Sequence, residues 1–192
     1  MELVEPPEGE IISLDLAKQH LRVTLDDEDN DNYIMRCVAS ATQFIESYAN
    51  LRLETQSIKF LSDNWPPCPY LHFPVHPITA ISSVKYLDSN GDLQEMDAEL
   101  YQLSGSRRPP VLYLLSPLSL WPSLSEGLDS VEIVADVGFS GLDSGVPEPL
   151  IQAVLMLTRH LYDNPGDTDI MTIKEVPKAS EYLVFPYRMW PL

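Results

Sequence analysis

Cys68, His72 and His76 recur every fourth residue, a spacing that would line up three metal ligands on one helical face. Pro69, Pro74 and Pro77 interrupt the segment and forbid that helix. No fourth ligand stands out, so no metal site is expected. The run Asp26-Asp27-Glu28-Asp29-Asn30-Asp31 invites a calcium reading. A calcium loop of the helix–loop–helix kind needs a glycine at its sixth position and a glutamate at its twelfth. Counted from Asp27, those positions hold Asn32 and Val38. The acids instead suit the start of a helix, where the dipole favours negative charge.

Other chemistry fails in the same way. Gly-x-Ser-x-Gly is absent, and Gly138-Phe139-Ser140-Gly141 reads as a turn joining a strand to a helix. Ser104-Gly105-Ser106-Arg107-Arg108 could hold a phosphate. It lacks the strand–loop–helix setting and the lysine of a phosphate-binding loop, and its arginines are expected to meet an acidic neighbouring surface. His20 and His160 are explained by packing. Trp65, Trp121 and Trp190 each stand beside proline, which suits loop packing or interface anchoring better than a sugar platform. No catalytic residue, metal ligand or cofactor is assigned.

The elements behind these residues form an ordered series. Ser13 is a good N-cap for a short helix over 14–21. Ile34, Val38, Ala41, Ile45 and Tyr48 recur at spacings of four and three, predicting a long helix over 27–49 that stops at Asn50. From 53 to 137 the pattern changes to short runs broken by turn residues. Strands are predicted over 55–61, 80–87, 93–96, 100–103, 111–115 and 131–137. Asp88-Ser89-Asn90-Gly91 marks a hairpin, and 70–74 reads as an extended edge. A third helix over 147–162 opens with Pro147 and Glu148 and is apolar on almost every face. It must be covered on more than one side, either by the β domain and the second helix together or by a neighbouring subunit.

The predicted fold is therefore α+β: a helical body with an inserted small antiparallel β domain and an extended C-terminal tail. The divisions are an N-terminal arm and helices over 1–50, the β domain over 51–140, the third helix over 141–164 and the tail over 165–192. Residues 1–12 read as an arm. The tail is too aromatic for a solvated linker and too proline-broken for a core, so it reads as a docking segment.

Composition narrows the functional classes. The chain carries 29 acids against 12 bases, a formal net charge of −17. Such a surface repels nucleic acid. Cys37 and Cys68 make no disulfide framework, which favours a reducing compartment. No apolar run approaches bilayer length, and the acidic opening lacks the basic start of a signal peptide. The chain is expected to be soluble and made where it is used.

The order of the pieces resembles one family. Ser13-Leu14-x-Leu16-Ala17-Lys18-x-His20-Leu21-Arg22-Val23 is followed by Asp26-Asp27-x-Asp29 and by a helix ending in Phe44-Ile45-Glu46-Ser47-Tyr48. Then come Pro77-Ile78-x-x-Ile81-x-x-Val84-x-Tyr86-Leu87-Asp88-x-x-Gly91, Val131-Glu132-Ile133 and Val146-Pro147-Glu148-Pro149-Leu150-x-x-Ala153. Together they resemble the head–tail connector proteins, or adaptors, of siphophages over most of residues 11–162. The resemblance implies a virion structural protein at the neck. It would form a ring of twelve subunits under the portal, pass DNA through its channel without specific binding, and meet a further neck or tail-completion protein. It implies no catalysis and no membrane.

On this reading Tyr182, Phe185, Tyr187, Arg188, Met189, Trp190 and Leu192 contact the portal. Ile34, Val38, Ile45, Val154, Leu157 and Leu161 lie among the subunit contacts. Deleting about ten C-terminal residues should leave the fold intact and block docking. The alternatives are a β domain that binds a glycan or host surface, another neck protein such as a stopper, and an enzyme of unknown class.

Overall fold

A computed structural model describes residues 1–7, 9–25, 29–105, 107–115, 120–141, 145–165 and 178–190. Within these, the elements run β1 (Glu2–Glu5), α1 (Leu14–Leu21), α2 (Asp31–Ala49), β2 (Gln56–Ser62), β3 (Tyr70–His72), β4 (Ile78–Leu87), β5 (Leu93–Glu95), β6 (Tyr101–Ser104), β7 (Val111–Leu114), β8 (Val131–Val137), α3 (Glu148–Asp163) and α4 (Lys178–Val184). The fold is α+β, as the sequence pattern indicated.

The helices begin and end where local chemistry requires. The Ser13 hydroxyl accepts the Leu16 N–H at 3.3 Å and caps α1. Arg22 and Asn50 take left-handed φ angles of 61° and 54° and close α1 and α2. α2 starts at Asp31 rather than at 27, with Asn30 in the capping position. Residues 26–28, which hold the first two positions of the helix expected over 27–49 and three of the five acids of the run, lie outside the described residues. Asp31 also forms an ion pair with Lys18, which is buried under the α1–α2 junction. The Lys18 ammonium donates in addition to the Leu25 carbonyl at 3.0 Å.

The β strands form two antiparallel sheets, one ordered β1-β2-β8-β4-β5 and the other β3-β7-β6. β8 sits at the centre of the larger sheet and alternates strictly. Val131, Ile133, Ala135 and Val137 are buried, while the residues between them are half-buried, the pattern of a sheet with one face on a core. Register brings Ile58 opposite Ala135, and Phe60 and Val84 opposite Ile133. Leu112, Leu114 and Phe73 from the smaller-sheet side close this core. β1 corrects the expectation of a free arm, because Glu2 to Glu5 pair along the β2 edge.

A second apolar core lies among the helices. Ala17, Leu21, Ile34, Val38, Ala41, Ile45, Leu150, Val154, Leu157 and Val184 meet there, together with Leu51, Leu53 and Phe139 from the segments flanking the β region. The cover demanded by the apolar α3 comes from α1, α2 and α4 of the same chain, with Leu51, Leu53 and Phe139 in the same core. Where the chain leaves β8 for the helices, Gly138 adopts φ 126°. A side chain there would collide with the Glu54 carbonyl, so the crossing of these two segments requires glycine.

Candidate docking surfaces

The C-terminal segment is not extended throughout. Residues 178–184 are helical, with Ser180 and Val184 facing inward one turn apart, and Phe185–Tyr187 adds a short 3-10 turn. The chain then runs back along the end of α2. The Met189 N–H donates to the Ala49 carbonyl at 2.9 Å, and the Asn50 amide donates to the Met189 carbonyl at 2.9 Å. His76 places Nε2 2.7 Å from the Tyr187 carbonyl. Burial pushes the His76 pKa below its ordinary value, and the charge of Arg108 acts in the same direction. A neutral ring with Nε2 protonated fits this contact.

These contacts divide the expected portal-binding residues into two groups. Met189, 4% exposed, anchors the segment, with Tyr187 and Arg188 half-buried beside it. Tyr182, Phe185 and Trp190 face outward at 75%, 58% and 59% exposure. Leu192 lies outside the described residues. Arg188 sits between two rings, its guanidinium carbon 4.4 Å from the Tyr48 centroid and 4.2 Å from that of Trp190. Tyr48 stacks on the exposed Phe44 with centroids 6.1 Å apart. Phe44, Tyr48, Arg188 and Trp190 thus form one continuous aromatic strip across the end of α2 and the C-terminal segment.

The anchored segment also changes the truncation expectation. Removing ten residues takes Val184 and Met189 from buried positions, so the fold cannot be indifferent to it. Of the residues expected at subunit contacts, Ile34, Val38, Ile45, Val154 and Leu157 are buried within this chain's own helical core. Leu161 is half-buried at its margin, where its carbonyl accepts the Tyr33 hydroxyl at 3.3 Å.

The residues first weighed for chemistry lie apart. Cys68 and His72 are exposed, whereas His76 is buried against Tyr187. Among the described residues, no three His, Cys, Asp or Glu side chains gather as a metal site would require. Ser140 accepts the Thr55 N–H at 2.7 Å and ties two crossing segments together. The Cys37 thiol is buried, which raises its pKa. Trp65 and Trp121 stack on each other with centroids 4.5 Å apart, and the Trp121 indole N–H donates to the Cys68 carbonyl at 2.9 Å. Both rings are half-buried. Ser106 lies outside the described residues, as do residues 166–177.

The first half of the chain has a direct counterpart among known families. Residues 11–90, from the turn before α1 to the tip of the β4–β5 hairpin, match the phage gp6-like head-tail connector protein family. Over this segment the chain is similar to that family. No curated protein matches the sequence. Several solved structures match the fold over nearly its full length. A chain from the neck of an empty gene transfer agent (GTA) particle, computed with C6 symmetry, has 20% identity and a TM-score of 0.81, covering 100% of this chain and 96% of that one. A chain from the virion of a native gene transfer agent particle gives 19% and 0.78, with the same coverage. One from the neck of the native particle, computed with C12 symmetry, gives 18% and 0.69, covering 99% and 97%. At such identities the likeness is one of fold.

The connector resemblance read from the sequence therefore holds. Two features of this fold were not read from the sequence. The burial of Lys18 had no signal, because a lysine on an amphipathic helix is ordinarily solvated. α4 did have one: Ser180 and Val184 stand four apart, one helical turn, between Pro177 and Pro186.

Proposed function

We propose that this chain is a structural head–tail connector of a tailed phage or phage-like particle. It acts by assembly and not by catalysis. In the particle it forms a ring of twelve copies at the neck, below the portal and above the next neck protein, and DNA crosses its channel without specific binding. The observation that carries this reading is the connector-family match over 11–90. It is supported by whole-chain fold likeness to chains from GTA necks, one of them computed with C12 symmetry. The net charge of −17 suits a channel wall that DNA must pass without adhering.

Portal contact is assigned to the outward members of the C-terminal segment, Tyr182, Phe185 and Trp190, on a base held by Met189. The helical body contributes subunit contacts through its margin near Leu161.

The test is to mix the purified chain with its portal and image the product by electron microscopy. Rings seated on the portal are expected. No complex at any concentration or salt would end the proposal. Replacing Tyr182, Phe185 and Trp190 together with serine should abolish docking while the thermal midpoint stays unchanged. Undiminished docking would remove the C-terminal assignment.

A further inference from the structure

The two ends of β4 carry opposite charge. Beside its start, the loop after β6 brings Arg107 and Arg108 to the rim of a cleft of about 410 Å³, whose walls include Ile78, Leu103 and Phe139. Gly105 lies against the Ile78 carbonyl with no room for a side chain, so the loop is pressed onto the strand. Arg108 is fixed there. It donates to the Pro186 carbonyl at 2.8 Å, and its guanidinium carbon lies 5.6 Å from the Tyr187 centroid. Arg107 is exposed and makes no ion pair among the described residues. The cleft is a preformed basic rim around apolar walls in a chain with only 12 bases.

Past the other end of β4, the turn to β5 is rigid and acidic. The Asp88 carboxylate accepts the Asn90 and Asp92 N–H groups at 2.8 and 3.1 Å, and the Gln94 amide at 3.0 Å. Asp92, Glu95, Asp97 and Glu99 are all exposed. Leu93 stands in solvent among them at 64% exposure, and Leu100 in the turn before β6 at 51%. An ordered hairpin presenting leucine among carboxylates is complementary to a cleft presenting arginine around apolar walls. The ten residues of β4 hold the hairpin tip and the cleft about 30 Å apart at 3.3 Å per residue, so Asp92 and Leu93 cannot reach the cleft of their own copy.

We propose that the acidic β4–β5 hairpin of one copy seats in the Arg107–Arg108 cleft of the next. Each copy then offers one hairpin and one cleft. The contact is head-to-tail, and such contacts close into rings when the rotation between copies is right. The inference rests on the ring reading above and names the contact that joins neighbours. Nucleic acid is the poorer occupant of the cleft: it would leave the exposed leucine and acids of the hairpin without a role.

The test uses the full chain under conditions where the wild type self-associates, read by sedimentation velocity. Arg107→Glu weakens association about tenfold or more, and the pair Asp92→Lys with Glu95→Lys does the same. Mixing the two variants restores wild-type association, because every contact in an alternating ring again joins opposite charges. Any variant with a lowered thermal midpoint is replaced by Arg107→Gln or Asp92→Asn. Unchanged association in the single variants overturns this contact while leaving the ring reading intact, as does a mixture no better than its parts. A wild type that never self-associates, alone or on portal, overturns both.

Discussion

The helical core and the β core are built on different principles. The β core closes over a nearly continuous stretch, β2 to β8, through sheet register and stacked aromatics such as Phe60 on Phe73 and Trp65 on Trp121. The helical core draws on both ends of the chain, and its seams are polar. Lys18 pairs with Asp31, the Glu54 carboxylate accepts the Ile11 N–H at 2.7 Å, and the Glu46 carboxylate accepts the Leu53 N–H at 2.8 Å. Asn50 holds Met189 across 139 residues of sequence. An inserted sheet can be specified by alternation and turns. A body made of distant segments needs directional contacts at each seam, since a buried polar group tolerates few alternative partners.

The contrast can be broken most directly at the C-terminus. Deleting residues 178–192 removes buried Val184 and Met189 and should cost about 4 kcal/mol, at about 2 kcal/mol for each apolar side chain. Chemical denaturation measures it. An unchanged midpoint would show that the helical core does not need its distant end.

The next test asks whether the cores unfold together. Leu150→Ala in the helical core and Leu112→Ala in the β core should each cost about 3 kcal/mol, since both side chains are fully buried. Leu51, Leu53 and Phe139 join the segments flanking the sheet to the helical core, so both substitutions should shift one common transition. Two separable transitions by circular dichroism and tryptophan fluorescence would make the cores independent.

Lys18→Met tests the polar seam itself. It leaves the Leu25 carbonyl and the Asp31 carboxylate without their cation. The expected loss is about 2 kcal/mol, allowing for the partial exposure of Asp31. A neutral or stabilising result would mean that the seam specifies the α1–α2 junction without strengthening it.

The smallest effect is a pH dependence. The His76 pKa is lowered in the folded chain, mainly by burial. Below the ordinary histidine value the unfolded chain binds a proton that the folded one resists. The His76 contribution is therefore complete above about pH 6.5, and is lost as pH falls from there toward the depressed folded value. His76→Gln, which keeps an N–H for the Tyr187 carbonyl, should lack that part of the slope. Equal slopes for both proteins across this window would reject a neutral, desolvated His76.

The sequence by itself determined the local elements and their order. The caps at Ser13 and Asn50, the helical spacing from Ile34 to Tyr48, the alternation of β8 and the Asp88–Gly91 turn all act within a few residues of themselves, and they fixed the α+β plan and the connector resemblance. Tertiary structure decided how distant segments meet. β1 became a strand only because the β2 edge lay open to it. Lys18 became buried only because Asp31 and Leu25 converged on its ammonium. The aromatic C-terminal segment was divided by the end of α2 into buried anchors such as Met189 and outward residues such as Trp190. Periodicity reports which way a side chain faces on its own element, and pairing across more than a hundred residues depends on which surface that element finally meets.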